Sequence, residues 1–313
     1  MIYVFRDQPS ISAKLLAEAI DGIRLRRPEN LTRRAKERDK VVMWGACVPN
    51  TKGLQLNNIP LQNKYEDAIR LKTARIKTIE VAKTKPAPLP LTAPPDPLVP
   101  IWDDAQDAAE AFSQLALTRH VVAQTGVKEL LDKLAKVKAG MLVPAPAAPP
   151  PQTQGEWLGR RFHHVGGNDL LRPPTTPDFY VRKEALVNEY RVHSFLGRSI
   201  RAGKKVARTP QSETPFTGTP HAWVRSFDAG WQLSYADDAG IKQKHRDIAH
   251  AAVKALGLSF GAVDIGETAP GELIVLEVNR APGVENGTVE AYARSIRRWA
   301  TGEWTSENQQ AGQ

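Results

Sequence analysis

Residues 259–283 read SFGAVDIGETAPGELIVLEVNRAPG, and this stretch decides the fold. Two runs rich in β-branched residues, SFGAVDIG and ELIVLEVN, flank the turn dipeptide Pro270-Gly271, which predicts a β-hairpin centred there. Position 269 then faces 272. Counted outward without a bulge, Asp264 faces Glu277, and Asn279 lies two residues further on the same side of its strand. Opposed carboxylates repel unless something cationic stands between them. A pair of divalent ions would supply that charge. Two carboxylates and an amide oxygen are hard donors suited to Mg²⁺, which keeps water and phosphate oxygens as its other ligands. The chemistry predicted is that of nucleotide phosphates. The strands are apolar on both faces, which argues against a merely solvated hairpin.

Upstream, from Gly155, the chain is strand-rich. WLGRRFHHV, DFYVRK, EYRVHSFL, SIRAGKKV, AWVRSF and WQLSY are short and rich in aromatic and β-branched residues, and Leu196-Gly197-Arg198 joins two of them as a hairpin. Antiparallel sheet is expected. Alternation puts Glu189, Arg191 and His193 on one face and Tyr190, Val192 and Ser194 on the other. The first set suits a polar cleft better than a core. A helix over Lys242 to Leu256, ended by Gly257, and a last helix from Thr288 to Trp299 flank the hairpin.

At the other end, Ile2 to Phe5 and Val41 to Trp44 read as strands, the second stopped by Gly45, and Ser10 or Ser12 can cap a helix between them. Asn63 to Leu71 reads as a short helix, after which Ile76 to Val81 returns to the sheet. From Lys83 the composition changes. KTKPAPLPLTAPPDPLVP and, later, VPAPAAPPPQTQG are Pro-rich breakers around a helical stretch at 102–139. The organisation is therefore α+β: an N-terminal α/β domain at 1–82, Pro-rich linkers flanking a helical insertion at 83–154, central strands at 155–186, a C-terminal antiparallel sheet subdomain at 187–304 and a disordered tail at 305–313.

With 313 residues, 41% of them hydrophobic, the chain can bury a core. No run approaches the ~20 apolar residues of a membrane span. The expectation is a soluble cytoplasmic protein with no membrane partner. The single Cys47 can form neither an internal disulfide nor a thiolate metal site and reads as a small buried thiol. A formal charge of +9 favours acidic partners: nucleotide phosphates, carboxylate-rich substrates or nucleic acid. The run RLRRPENLTRRAKERDK at 24–40 motivates the last, but it reads equally as a solvated helix face, and interleaved aromatics for base stacking are missing. His163 and His164 are adjacent, so on a strand they point to opposite faces, and no third zinc ligand stands at useful spacing.

Asp264, then Leu276-Glu277-Val278-Asn279, then Pro282-Gly283 resembles the metal-binding end of the ATP-grasp superfamily, closest to its RimK-like, glutamate-ligase-like and carboxylate–amine-ligase-type members often found in bacteriophages. The likeness runs through residues 155–299. It implies an ATP-grasp fold with a Pro-flanked helical insertion, and a ligase that activates a carboxylate as an acyl phosphate and couples it to an amine. ATP and Mg²⁺, as two ions with Mn²⁺ as a substitute, would be its cofactors; a small molecule, peptide or protein would supply the carboxylate and the amine. Asp264, Glu277 and Asn279 would hold the metal. Lys64 would be the first ATP-contacting lysine, and Arg160 or Arg161 the second basic residue, where the family more often has Lys. Gly166-Gly167 would form a short phosphate-covering loop. The stretch Lys183, Glu184 and Ala185 would read the adenine through its backbone, and Glu189 would accept from the ribose. Arg191, Lys205 and Arg225 would neutralise the transferring phosphate, with Lys204 as the alternative to Lys205. The competing expectation is a nucleotide-binding or nucleic-acid-associated phage protein without catalysis.

Overall fold

The computed structural model describes residues 1–60, 63–86, 156–161, 176–235, 240–284 and 287–304. The expected insertion at 102–139, His163, His164, Gly166, Gly167 and the 305–313 tail lie outside them.

The N-terminal layer is a four-stranded parallel sheet in the order β2-β1-β3-β4, built from β1 (Ile2–Phe5), β2 (Ile23–Leu25), β3 (Lys40–Met43) and β4 (Leu54–Leu56). Val41, Val42 and Met43 are all fully buried, as a parallel strand covered on both faces requires. The first helix, α1 (Ile11–Ala19), starts where Ser10 accepts a hydrogen bond from the Ala13 amide. The basic run at 24–40 is not one solvated helix. It contains the end of β2, the helix α2 (Pro28–Arg34) and the first residue of β3, and Leu31 within it is fully buried. Strands of three residues such as β2 and β4 are too short to show a periodicity.

Helix α3 (Lys64–Thr73) is held at its start by a reciprocal cap between Asn63 and Glu66. The chain after it does not rejoin the N-terminal sheet. Thr78 bridges to Val275 instead, and β5 (Val81–Ala82) joins a three-stranded antiparallel sheet, order β5-β7-β6, with β6 (Trp157–Arg160) and β7 (Phe179–Arg182).

The largest sheet has five antiparallel strands in the order β10-β9-β8-β11-β12. They are β8 (Leu186–Phe195), β9 (Arg198–Ala207), β10 (Trp231–Ser234), β11 (Phe260–Thr268) and β12 (Leu273–Asn279). Leu196 (φ 45°) and Gly197 (φ 73°) close the β8–β9 hairpin with two left-handed residues, the form whose twist matches the strands. One face of this sheet packs Val192, Ala202, Val263, Ile265, Val275 and Val278 beneath helix α4 (Gln243–Ala255). The last helix, α5 (Thr288–Ala300), carries Tyr292, Ile296 and Trp299 into a core shared with α1, Trp44, Phe195 and Phe260. There the Trp44 and Phe260 rings stack at 5.3 Å, and Tyr292 meets Trp44 edge-on at 5.2 Å.

AWVRSF is not a strand. Residues 222–227 lie in an irregular excursion between β9 and β10. The His221 ring accepts hydrogen bonds from the amides of Trp223 and Val224, and such local bonds compete with a sheet ladder. Arg208 ties the excursion down by donating to the carbonyls of Thr214, Pro215 and Phe227.

Candidate active site

The β11–β12 hairpin reaches the expected pairing by another route. Its loop is three residues long: the Thr268 amide donates to the Glu272 carbonyl, the Gly271 amide donates to the Thr268 carbonyl, and Gly271 takes φ +82°. From this end Glu267 pairs Leu273 and Ile265 pairs Val275. An irregularity then shifts the register, and Asp264 pairs Glu277. The longer loop and the bulge offset one another, so a bulge-free count from a two-residue centre arrives at the same pair. The bulge re-aims the strand end, as bulges beside functional sites do, and both Leu276 and Glu277 line the cavity.

The repulsion between the two acids is met by side chains. Arg191, opposite Asp264 on β8, donates from Nε to Oδ1 at 2.6 Å and from Nη2 to Oδ2 at 2.8 Å, a bidentate fork. Lys64, at the first position of α3, bonds Glu277 Oε2 at 2.5 Å, and the Asn279 amide donates to Glu277 Oε1 at 2.9 Å. Opposed carboxylates therefore do not by themselves require metal in this fold. Burial pushes the Asp264 carboxyl up, but Arg191 and Lys205 overcome it and hold the group below the usual carboxylate range. Burial opposes the charge of Arg191 as well, and Asp264 more than restores it.

A second cluster stands along the same face. Glu189 receives Lys205 at 2.7 Å, and Arg225 Nε lies 3.8 Å from its other oxygen. Arg225 also donates to the Leu186 carbonyl at 2.9 Å and lies 4.8 Å above the Trp231 ring. Of the neighbouring lysines, Lys205 turns inward, whereas Lys204 lies over the Tyr190 ring at 5.9 Å.

These clusters line one cavity of about 950 Å³. Lys64, Arg160, Glu184, Glu189, Arg191, Lys205, Arg225, Asp264 and Glu277 contribute to its wall. Asn279 reaches it through Glu277. Arg161 stands 3.8 Å from Asp178, and Lys183 pairs with Glu156 at 3.4 Å while lying over the Trp223 ring. Apolar walls come from Val81, Phe179, Val181 and Leu186 near the β5-β7-β6 sheet. His193 is not part of the cleft. It is fully buried, with Nδ1 3.3 Å from the Tyr292 hydroxyl, and burial with the charge of Arg191 pulls its pKa down to about 3. Alternation named its face correctly, but α5 covers that end of the face.

Arg201, Tyr235, Trp223 and Phe227 also line the cavity and were not singled out in the sequence. For Arg201 a signal existed: it has the same parity on β9 as Lys205. For the aromatics in the β9–β10 excursion there was none.

The donor set fits a magnesium site. Asp264, Glu277 and Asn279 are hard oxygen donors converging on one rim, and a carboxylate has lone pairs to share between a side-chain cation and a metal.

No protein-family model matches the sequence, and no curated protein matches it. Solved structures do. D-cycloserine synthetase DcsG is 16% identical, covers 96% of this chain and 99% of its own, and superposes with a TM-score of 0.50. D-alanine–D-alanine ligase from Bacillus anthracis is 12% identical over 97% of this chain and 99% of its own, with a TM-score of 0.49. The ATP-grasp ligase PsnB, complexed with a minimal precursor, Mg and ADP, is 11% identical over 96% of this chain and 97% of its own, with a TM-score of 0.49. The described residues thus form a mixed helix-and-sheet protein similar in fold to D-cycloserine synthetase.

Proposed function

We propose that the protein is an ATP-dependent ligase of the carboxylate–amine type, at the RimK-like end of the ATP-grasp superfamily, and that the cavity between the three-stranded and five-stranded sheets is its active site. The observation that carries this reading is the convergence on one 950 Å³ cavity of the acids Asp264 and Glu277 with the cations Lys64, Arg191, Lys205 and Arg225. Four fixed positive groups set among the carboxylates Asp264, Glu277 and Glu189 suit a triphosphate, whose charge has to be balanced wherever it moves.

In this reading the base lies against Val181, Phe179 and Leu186, and the backbone at 183–185 reads it. Glu189, expected at the ribose, already holds Lys205 and Arg225, so it orients two phosphate-facing cations as well. Asp264, Glu277 and Asn279 would hold Mg²⁺, which would polarise the phosphate oxygens when bound. Either one ion or two is compatible with these donors, and Mn²⁺ shares their chemistry. A substrate carboxylate oxygen attacks the γ-phosphorus of ATP and the β–γ bond breaks, giving ADP and an acyl phosphate. Arg191, Lys205 and Arg225 offset the charge spread over the transferring group. An amine then attacks the acyl carbon, and inorganic phosphate leaves with the bonding pair and takes up the proton the nitrogen loses, forming an amide. Positioning and electrostatics carry both steps, so no side-chain nucleophile is needed. ATP and Mg²⁺ are cytoplasmic reagents, and the reading places the enzyme there.

The test is Mg²⁺-dependent ADP release over a matrix of carboxylates and amines, with the product followed by mass. Release that needs both partners is expected, and Glu277→Gln should lower it at least about 100-fold with an unchanged circular dichroism spectrum. An equally active variant removes the site. ATP binding without turnover would make the protein a nucleotide-binding module, and steeply salt-dependent DNA binding would make it a nucleic-acid protein.

A further inference from the structure

Residues 24–40 hold eight Lys or Arg and three Asp or Glu, so seventeen residues carry five of the chain's nine net positive charges. None of them lines the cavity. The cations that a triphosphate would meet come from other segments, and this excess stands apart from them.

The fold puts the segment on the outer side of the N-terminal sheet. Strands β1 and β3 turn Val4 and Val42 toward the core they share with Phe195, Phe260 and α5. They turn Tyr3, Phe5, Val41 and Met43 the other way, where Leu31 and Ala35 cover them. All the buried members of that second cluster belong to the N-terminal layer, so α2 closes the face turned away from the five-stranded sheet. The same packing holds the charges outward. Arg26, Arg27, Arg33, Arg34, Lys36 and Arg38 are all exposed, and among the described residues none of them has an ion pair. Of the three acids, Asp39 is buried, and its carboxylate accepts from the Lys36 amide at 2.8 Å, which pins the turn between α2 and β3. Only Glu29 and Glu37 share the surface with the cations. The result is a positive platform whose backbone is already fixed, so less order has to be imposed when a partner binds.

We propose that this outer face docks an acidic segment of a partner protein, an extended stretch whose Asp and Glu carboxylates lie on the arginine forks of α2 and its flanks. The inference goes beyond the ligase reading and does not depend on it. Six of the eight cations in 24–40 are Arg, whose planar fork takes a carboxylate bidentately and stays charged. Arg27 and Arg34 stand two helical turns apart, roughly 10 Å at ~1.5 Å per residue, which is the spacing of acids three residues apart on an extended chain. Nucleic acid fits less well. No aromatic residue stands in 24–40 to stack on the bases of a single strand. A duplex presents a charge every ~1.7 Å of its axis, so Glu29 and Glu37 would each face phosphate, whereas a peptide sets its own amide groups opposite them.

The experiment uses the full chain and reads fluorescence anisotropy of a labelled Glu-rich peptide, of its Gln-for-Glu counterpart and of a random-sequence DNA duplex, at about 50 mM salt where charge pairs are little screened. The Glu-rich peptide should bind and the Gln counterpart should not. The triple variant Arg27→Ala, Arg33→Ala, Arg34→Ala should weaken the peptide at least about tenfold, as three exposed charge pairs allow. A second triple, Lys72→Ala, Lys254→Ala, Arg294→Ala, removes the same charge from exposed positions on α3, α4 and α5 and should stay within about twofold. Saturating AMPPNP with Mg²⁺ should not displace the peptide. Equal losses in the two triples overturn the proposal, because net charge and not this face would then be responsible. So does displacement by AMPPNP, which would put the peptide in the cavity. Duplex binding tighter than peptide binding and lost in the first triple would assign the face to nucleic acid instead, and a Glu-rich peptide that does not bind removes the docking face altogether.

Discussion

The two faces of the five-stranded sheet are made by the same strands one residue apart, and they are held together in opposite ways. On the α4 face, Val192, Val263, Ile265 and Val275 are dry, and each touches several apolar neighbours, so the stabilisation is spread over area. On the cavity face, Arg191, Asp264, Glu189 and Lys205 are held pairwise, and removing one member strands its partner. The apolar face tolerates changes that keep volume, whereas the charged face tolerates changes that keep both partners of a pair.

The largest effect should come from confusing the two faces. Val263→Asp puts a carboxylate into a fully buried apolar cluster one position from Asp264 and offers it no cation. We expect a loss of more than about 4 kcal/mol and an insoluble or non-cooperative product, whereas Val263→Ile should cost under about 1.5 kcal/mol. A soluble Val263→Asp variant with a near-normal thermal melt would break the assignment of faces.

On the charged face, Asp264→Ala leaves Arg191 in place without its carboxylate. The expected cost is about 3–5 kcal/mol by urea unfolding. Replacing both members, Asp264→Leu with Arg191→Met, should recover most of that stability while abolishing any activity. If the double variant is as unstable as the single one, the pair is not the unit described here.

How much of this contrast was legible in the sequence depends on what carries it. The Pro-Gly turn set Asp264 opposite Glu277 and the alternation in EYRVHSF put Glu189 and Arg191 on one face, because period two and a hairpin are local properties, whereas the pairing of Arg191 with Asp264 joins strands 73 residues apart. The bulge that re-aims Glu277 was not readable, and it was hidden because a longer loop compensates for it. His193 was misassigned since a strand's parity says which face a residue occupies but not what covers each end of that face. AWVRSF has strand composition, but the His221 ring bonds its own backbone there and Arg208 ties down the excursion that contains it. The pairing of β5 with β7 depends on contacts between distant segments, which no window of sequence contains.

The end of the charged face that α5 covers gives a pH effect of intermediate size. His193 is a base whose folded pKa is depressed to about 3, so the fold keeps it neutral while the unfolded chain takes up a proton below its ordinary value near 6.5. Its contribution to stability is complete above pH 6.5 and is lost as pH falls toward 3. Burial depresses His245 and His250 in the same direction, so all three steepen the acid slope. Between pH 7 and 4 the loss from His193 should be on the order of 3 kcal/mol, and His193→Gln should flatten the urea midpoint over that range. An unchanged slope would mean that the ring is solvated and that α5 does not close this end of the sheet.

The smallest effect separates two neighbours on one strand. Lys205 bonds Glu189, whose side chain is only 7% exposed, so Lys205→Met leaves that carboxylate with Arg225 at 3.8 Å and should cost about 2 kcal/mol. Among the described residues the one partner recorded for the Lys204 ammonium is the Tyr190 ring at 5.9 Å, and Lys204→Met should cost no more than about 0.5 kcal/mol. The ratio matters more than either number. Because the two positions share strand, chemistry and local sequence, a fourfold difference can come only from the face each occupies. Equal losses would show that the inward lysine draws its stability from packing of its stem rather than from Glu189.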